Sequence, residues 1–149
     1  MPLARDFMIT MEELLNHKYK LEDQPEEIQK NLGILLTRIN IVRAKWGKSM
    51  TSTSGLRTME DHLRIYRQKA ERAGIPFDES KVPMHSKHLK GAADDISDPK
   101  LEITDWLKAN PEILEEADLY CELGNANWVH FQILPFGSYK PGGSRWFNP

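Results

Sequence analysis

Apolar positions recur at helical spacing in the first third of the chain and alternate with polar ones near its end. Thr10 and Glu13 have the spacing of a capping box and predict a short helix as far as about Asn16. Residues 21–24 read as a polar link. Pro25 suits the first turn of a long helix, with Glu26 and Glu27 against its positive end. Ile28, Leu32, Leu35, Leu36, Ile39, Val42 and Trp46 keep helical spacing and form one apolar stripe, and Gly47 predicts the stop. A strand is expected over 49–54, ended at Gly55, and a helix over 58–73, ended at Gly74. The stretch 75–90 has no clear period and reads as a long loop, the kind that in a small domain carries function or is disordered. A short strand over 92–97 is followed by helices over 99–109 and 111–117, each begun by a proline. Strands over 119–123 and 128–134 read as a hairpin joined near Gly124 and Asn125. The tail, 135–149, is rich in Gly and Pro and reads as irregular, yet Tyr139, Trp146 and Phe147 could fold it back over the domain. Helices with antiparallel strands in this order predict an α+β domain.

Composition narrows this to one domain. With 149 residues, 40% of them hydrophobic and 28% charged, the chain can close a single moderate core. A formal net charge of -2, with no basic run, argues against nucleic-acid binding. The single cysteine, Cys121, leaves no intrachain disulfide, and its alternation with Leu119 and Leu123 makes it a small core residue rather than a catalytic thiol. No apolar run approaches the length that spans a bilayer, so no membrane insertion is expected. Residues 1–10 lack the basic segment and apolar run of a secretory signal, so the chain is expected to be made in the cytoplasm.

Chemistry concentrates between Ser86 and Asp95. A catalytic zinc takes three protein ligands, usually His and a carboxylate, and keeps one position open for water. His88 lies in the loop and Asp95 on the strand that follows, with Gly91 permitting a tight turn and Ala93 removing bulk. Alternation puts Ala93, Asp95 and Ser97 on one face and Ala92, Asp94 and Ile96 on the other. A histidine and an aspartate seven apart would by themselves be a satisfied polar pair. His130 supplies a third donor: Val129, Phe131 and Ile133 point to the core, so Trp128, His130 and Gln132 share the opposite face.

The pattern Ser86-x-His88-x-x-Gly91-x-Ala93-x-Asp95, followed by Trp128-Val129-His130, resembles the zinc D-alanyl-D-alanine carboxypeptidase and L-alanyl-D-glutamate endopeptidase family. That family shares its fold with the hedgehog signalling domain and includes many phage lysis enzymes. The similarity runs over roughly 54–130. It implies a hedgehog/DD-peptidase-like fold with a small antiparallel sheet and flanking helices, and Zn2+ held by His88, Asp95 and His130. Ser54-Gly55-Leu56-Arg57 resembles the family's Ser-Gly-aromatic-Arg segment, which makes Arg57 the clamp for a substrate carboxylate; the alternative is a surface ion pair. Ser86 and Lys87 would orient the loop or the substrate, and Trp128 would line the peptide groove or cover the sheet.

Several relatives carry an acid three residues before the last histidine, where this chain has Asn127, an amide that cannot take a proton. Glu122, facing away from the core on the preceding strand, is the candidate catalytic base; the alternative is a solvated hairpin glutamate. His62 reads as a surface or half-buried helix residue, and His85 could touch substrate or buffer a proton. Asp94 reads as solvent-facing or as support for a ligand. The expected organisation is one zinc peptidase domain over 1–149: a helical scaffold (1–47), a catalytic core (48–134) and an irregular tail (135–149). The expected function is hydrolysis of peptidoglycan stem peptides by a monomeric endolysin that another factor delivers to the wall. The alternative is a zinc-stabilised binding or virion-associated protein of the same fold that has lost turnover.

Overall fold

The computed structural model describes residues 8–149. The N-terminal segment read above for a secretory signal lies, as far as Phe7, outside them.

The first helix, α1 (Met11–Leu14), opens on the expected capping box, with Thr10 and Glu13 each bonded to the other's backbone. The link after it contains a 3₁₀ turn at Leu21–Asp23. The long helix α2 (Glu26–Trp46) follows Pro25 and ends on Gly47 in the left-handed conformation, as its pattern predicts. Leu32, Leu35, Ile39 and Val42 of its stripe are buried, while Ile28, Leu36 and Trp46 pack at the margin of the same core. Strand β1 (Ser52–Ser54) is shorter than the expected 49–54. Helix α3 (Met59–Ala73) is capped by the Thr58 side chain and stopped by Gly74. The expected loop 75–90 is largely that, with 3₁₀ turns at Glu79–Lys81 and Lys87–Lys90.

Strand β2 (Ala93–Asp98) leads into α4 (Glu102–Ala109) and α5 (Glu112–Ala117). Pro99 does not begin α4 as expected. Asp98 takes the capping role instead: its buried carboxylate accepts from Ile103 N–H (3.0 Å), Thr104 N–H (2.9 Å) and the Thr104 hydroxyl (2.6 Å). Residues 99–101 are therefore a turn ahead of the helix.

Strands β3 (Tyr120–Glu122) and β4 (Asn127–Gln132) pair antiparallel as the expected hairpin. The tail is not wholly irregular. Its β5 (Trp146–Phe147) pairs with β3 in parallel, Cys121 opposite Trp146 and Glu122 opposite Phe147. The strand order is β1-β2-β4-β3-β5, so the domain is α+β as expected but its sheet is mixed rather than antiparallel.

One face of the sheet carries Ile96, Cys121, Val129 and Phe131 into a core shared with α1, α2, α4 and α5. Cys121 is fully buried there, and burial pushes its thiol well above the ordinary value, as suits an inert core residue. The other face carries Asp95 and His130. No helix among the described residues is long and apolar enough to cross a membrane.

Candidate metal centre

Strand register places the first two donors. Asp95 on β2 stands directly opposite His130 on β4, and each points away from the apolar core. The third arrives through the turn at Gly91. That residue adopts a φ of +66°, and a Cβ on it would come within 3.0 Å of both Ile28 and Leu32 of α2. A glycine is thus needed twice over, for the backbone conformation and for the close approach of the helix. Ser86 caps the short turn before it, its hydroxyl accepting from His88 N–H at 3.3 Å.

One donor atom from each of His88, Asp95 and His130 lies within 4.8 Å of the others. Nε2 of His88 is 3.4 Å from Asp95 Oδ2, and Nδ1 of His130 is 2.9 Å from Asp95 Oδ1. Tetrahedral zinc with bonds of about 2.0–2.1 Å holds its N and O ligands roughly 3.4 Å apart, so the first pair already has that spacing. The second pair has closed to hydrogen-bond distance. The imidazoles meet edge to face, with ring centres 5.2 Å apart.

The remaining nitrogen of each histidine is occupied from behind. Nδ1 of His88 donates to the Gly55 carbonyl at 2.9 Å, which leaves Nε2 as the bare ligand atom. Nε2 of His130 donates to Gln132 Oε1 at 2.9 Å, and the Gln132 amide is fixed in turn by donating to Leu134 O at 2.7 Å. Each histidine is thus held from behind, and the nitrogen that faces Asp95 is the one a cation would take in place of the proton shared with the carboxylate. The donor set and its backing fit a metal ion.

Charge couples the three side chains. Burial works to raise the Asp95 pKa, but hydrogen bonds and charge from His130 and His88 outweigh it and hold the carboxyl well below the usual range. Burial works to lower His130, and the Asp95 hydrogen bond and charge, then Gln132 and Glu122, leave it raised. The carboxylate of Asp95, held between the two rings, is an anionic donor that a cation would join.

These donors lie in a cleft of about 690 Å³. Arg57, His85, Ser86, Lys87, Glu122 and Trp128 also line it, so every expected substrate-facing residue is brought to one place. Trp128 is 38% exposed, which makes it part of the wall rather than a cover for the sheet. Apart from Asp95, Glu122 is the one side-chain carboxylate among the described residues of that lining. Asn127 is not in the lining: it pairs with Asp98 at the far end of β4, with a φ of +74°. Arg57 makes no ion pair among the described residues; its guanidinium contacts His62 and Ser54 instead.

Two expectations are corrected. His62 is neither surface nor half-buried but 1% exposed, wedged between Arg57 and the Pro83 carbonyl. Asp94 is fully buried on the core side and does not meet solvent. It accepts from the Ser52 hydroxyl, and burial drives its carboxyl well above the usual range.

Sequence reasoning did not single out Gln132 or the Gly55 carbonyl. Gln132 had a readable signal, its place two residues after His130 on the same face; a backbone carbonyl has none. No protein-family model, no curated protein and no solved structure matches this chain.

Proposed function

We propose that the chain is a zinc-dependent peptidase of hedgehog/DD-peptidase-like fold that hydrolyses peptide bonds in peptidoglycan stem peptides, in the manner of a phage endolysin. The observation that carries the reading is the convergence of His88, Asp95 and His130, donor atoms within 4.8 Å of one another, on an open cleft rather than in a closed core. A structural metal site has no need of an adjoining cleft, whereas a catalytic one requires room for substrate.

Bound zinc would supply Lewis-acid polarisation of the scissile carbonyl and activation of water. The chain's own residues supply the rest. Glu122 carboxylate oxygens take a proton from the attacking water and return it to the departing amine as the C–N bond breaks and a C–O bond forms. Arg57 holds an anionic group of the wall peptide. Trp128 offers an apolar surface to the peptide, and the capped Ser86 keeps the His88 turn in place. The proposed partners are peptidoglycan peptides, reached after another factor delivers the enzyme to the wall.

Incubating purified peptidoglycan with the zinc-loaded protein and identifying the fragments by mass tests this directly. Release of stem-peptide fragments is expected, together with loss of release on chelation and in His88→Ala. Glu122→Gln should retain zinc and lose about 10²–10⁴-fold in kcat. Release that survives chelation refutes the mechanism. Full zinc occupancy with no fragment released favours the turnover-deficient binding protein, a reading that Asn127 supports.

A further inference from the structure

We propose that His62 is a positioning residue for Arg57: a buried imidazole whose bare Nδ1 accepts from the guanidinium and fixes the anion-binding end of the cleft. What Arg57 holds, a carboxylate-bearing peptide, rests on the peptidase reading; the state of His62 does not.

Hydrogen-bond chemistry assigns the ring. His62 Nε2 lies 2.6 Å from the Pro83 carbonyl oxygen, which only accepts, so Nε2 carries the hydrogen. Nδ1 lies 3.2 Å from Nη1 of Arg57, and a guanidinium only donates, so Nδ1 carries the lone pair. Only the neutral Nε2–H tautomer satisfies both neighbours. An imidazolium would set N–H against N–H beside a permanent positive charge.

The surroundings hold that state. The ring is 1% exposed and meets Tyr66 at 5.0 Å between centres. Burial, then the charges of Arg57, His88 and Lys69, lower its pKa, against the opposing Pro83 hydrogen bond.

Neutrality is the useful property. Arginine clamps are commonly fixed by a carboxylate, which would cancel the charge and occupy the planar fork. Arg57 is instead held by two uncharged acceptors, His62 Nδ1 and, at 3.4 Å, Ser54 Oγ. Its backbone N–H donates to His88 O at 3.0 Å, tying it to the metal turn. The guanidinium is oriented from behind with its charge left for the substrate. Through Pro83 the same imidazole also anchors the loop that brings His85 and Ser86 to the cleft.

Two measurements on the zinc-loaded full chain test this. Imidazole ¹H–¹⁵N correlation spectra at neutral pH should show His62 as the neutral Nε2–H tautomer. A Nδ1–H tautomer or an imidazolium overturns the proposal, whether or not the protein cleaves anything. In steady-state cleavage of a soluble stem peptide with a free carboxylate, His62→Ala should raise KM about tenfold, the scale of one hydrogen bond to a charged group, and leave kcat within about twofold. His62→Gln should recover most of that loss, since an amide can accept from Arg57 and donate to Pro83 O. In an Arg57→Ala background His62→Ala should have no further effect on KM. An equal effect in that background, or a fall in kcat at unchanged KM, overturns the proposal. A wild-type chain that cleaves no stem peptide sinks the peptidase reading alone, and the imidazole spectrum then decides His62.

Discussion

Replacing Gly55 by alanine should loosen the metal centre without touching a ligand. A Cβ at this position would lie 2.3 Å from Leu14 O, 2.8 Å from its carbonyl carbon and 2.9 Å from its Cα. All three are backbone atoms, so no side chain can swing away. Relief to ordinary contact requires the two segments to part by roughly 1 Å. Two hydrogen bonds span this approach: Leu56 N–H to Leu14 O at 2.7 Å and Gly55 N–H to Asn16 Oδ1 at 2.8 Å. The same peptide presents the carbonyl that fixes His88 Nδ1 at 2.9 Å.

Overpacking of this kind costs about 2–3 kcal/mol. In a domain of this size that lowers Tm by roughly 4–12 °C. Displacing the acceptor behind a metal-binding histidine should weaken zinc by about 10–100-fold. Thermal melts with chelator present isolate the first effect, and competition against a chromophoric chelator reads the second. Gly33→Ala is the control: it lies inside α2 with nothing within 4 Å of a built Cβ, and should stabilise by about 0.4–1 kcal/mol. A Gly55→Ala protein that folds and binds zinc as tightly as wild type would refute the link between this contact and the site.

Other outcomes follow from the same contacts. Gln132→Leu removes the acceptor behind His130 Nε2 and should lower zinc affinity about tenfold or more, read by the same competition, with no direct ligand lost. Asp98→Ala strips three hydrogen bonds from the start of α4 and should cost about 2–3 kcal/mol in a denaturant titration. Asp61 is held down to about 2, from an ordinary 3.8, first by the Lys18 hydrogen bond and then by that of Tyr19. A depressed carboxylate stabilises above its unfolded value and loses that contribution as pH falls through its folded one. The Tm gap between wild type and Asp61→Asn should therefore be full above about pH 4 and close as pH drops toward 2; a gap that persists at pH 2 would contradict the assignment.

Much of this molecule is local and was readable as such. The Thr10–Glu13 box, the α2 stripe and the glycine stops at Gly47 and Gly74 act over a few residues of chain, so spacing alone locates them. The donor types and the faces of Asp95 and His130 were equally legible, because strand alternation assigns a face without reference to any partner. Alternation does not say which strand lies beside which. Only the folded sheet sets Asp95 opposite His130, lays β5 parallel to β3 and brings Glu122, not Asn127, to the cleft. Asp94 and His62 escaped for a related reason: a polar residue predicts solvent until the fold closes over it and supplies Ser52, Arg57 or the Pro83 carbonyl as partner. The Gly55 carbonyl lay deepest out of reach. Every residue carries such an oxygen, and only tertiary contact selects the one that sets a histidine's tautomer.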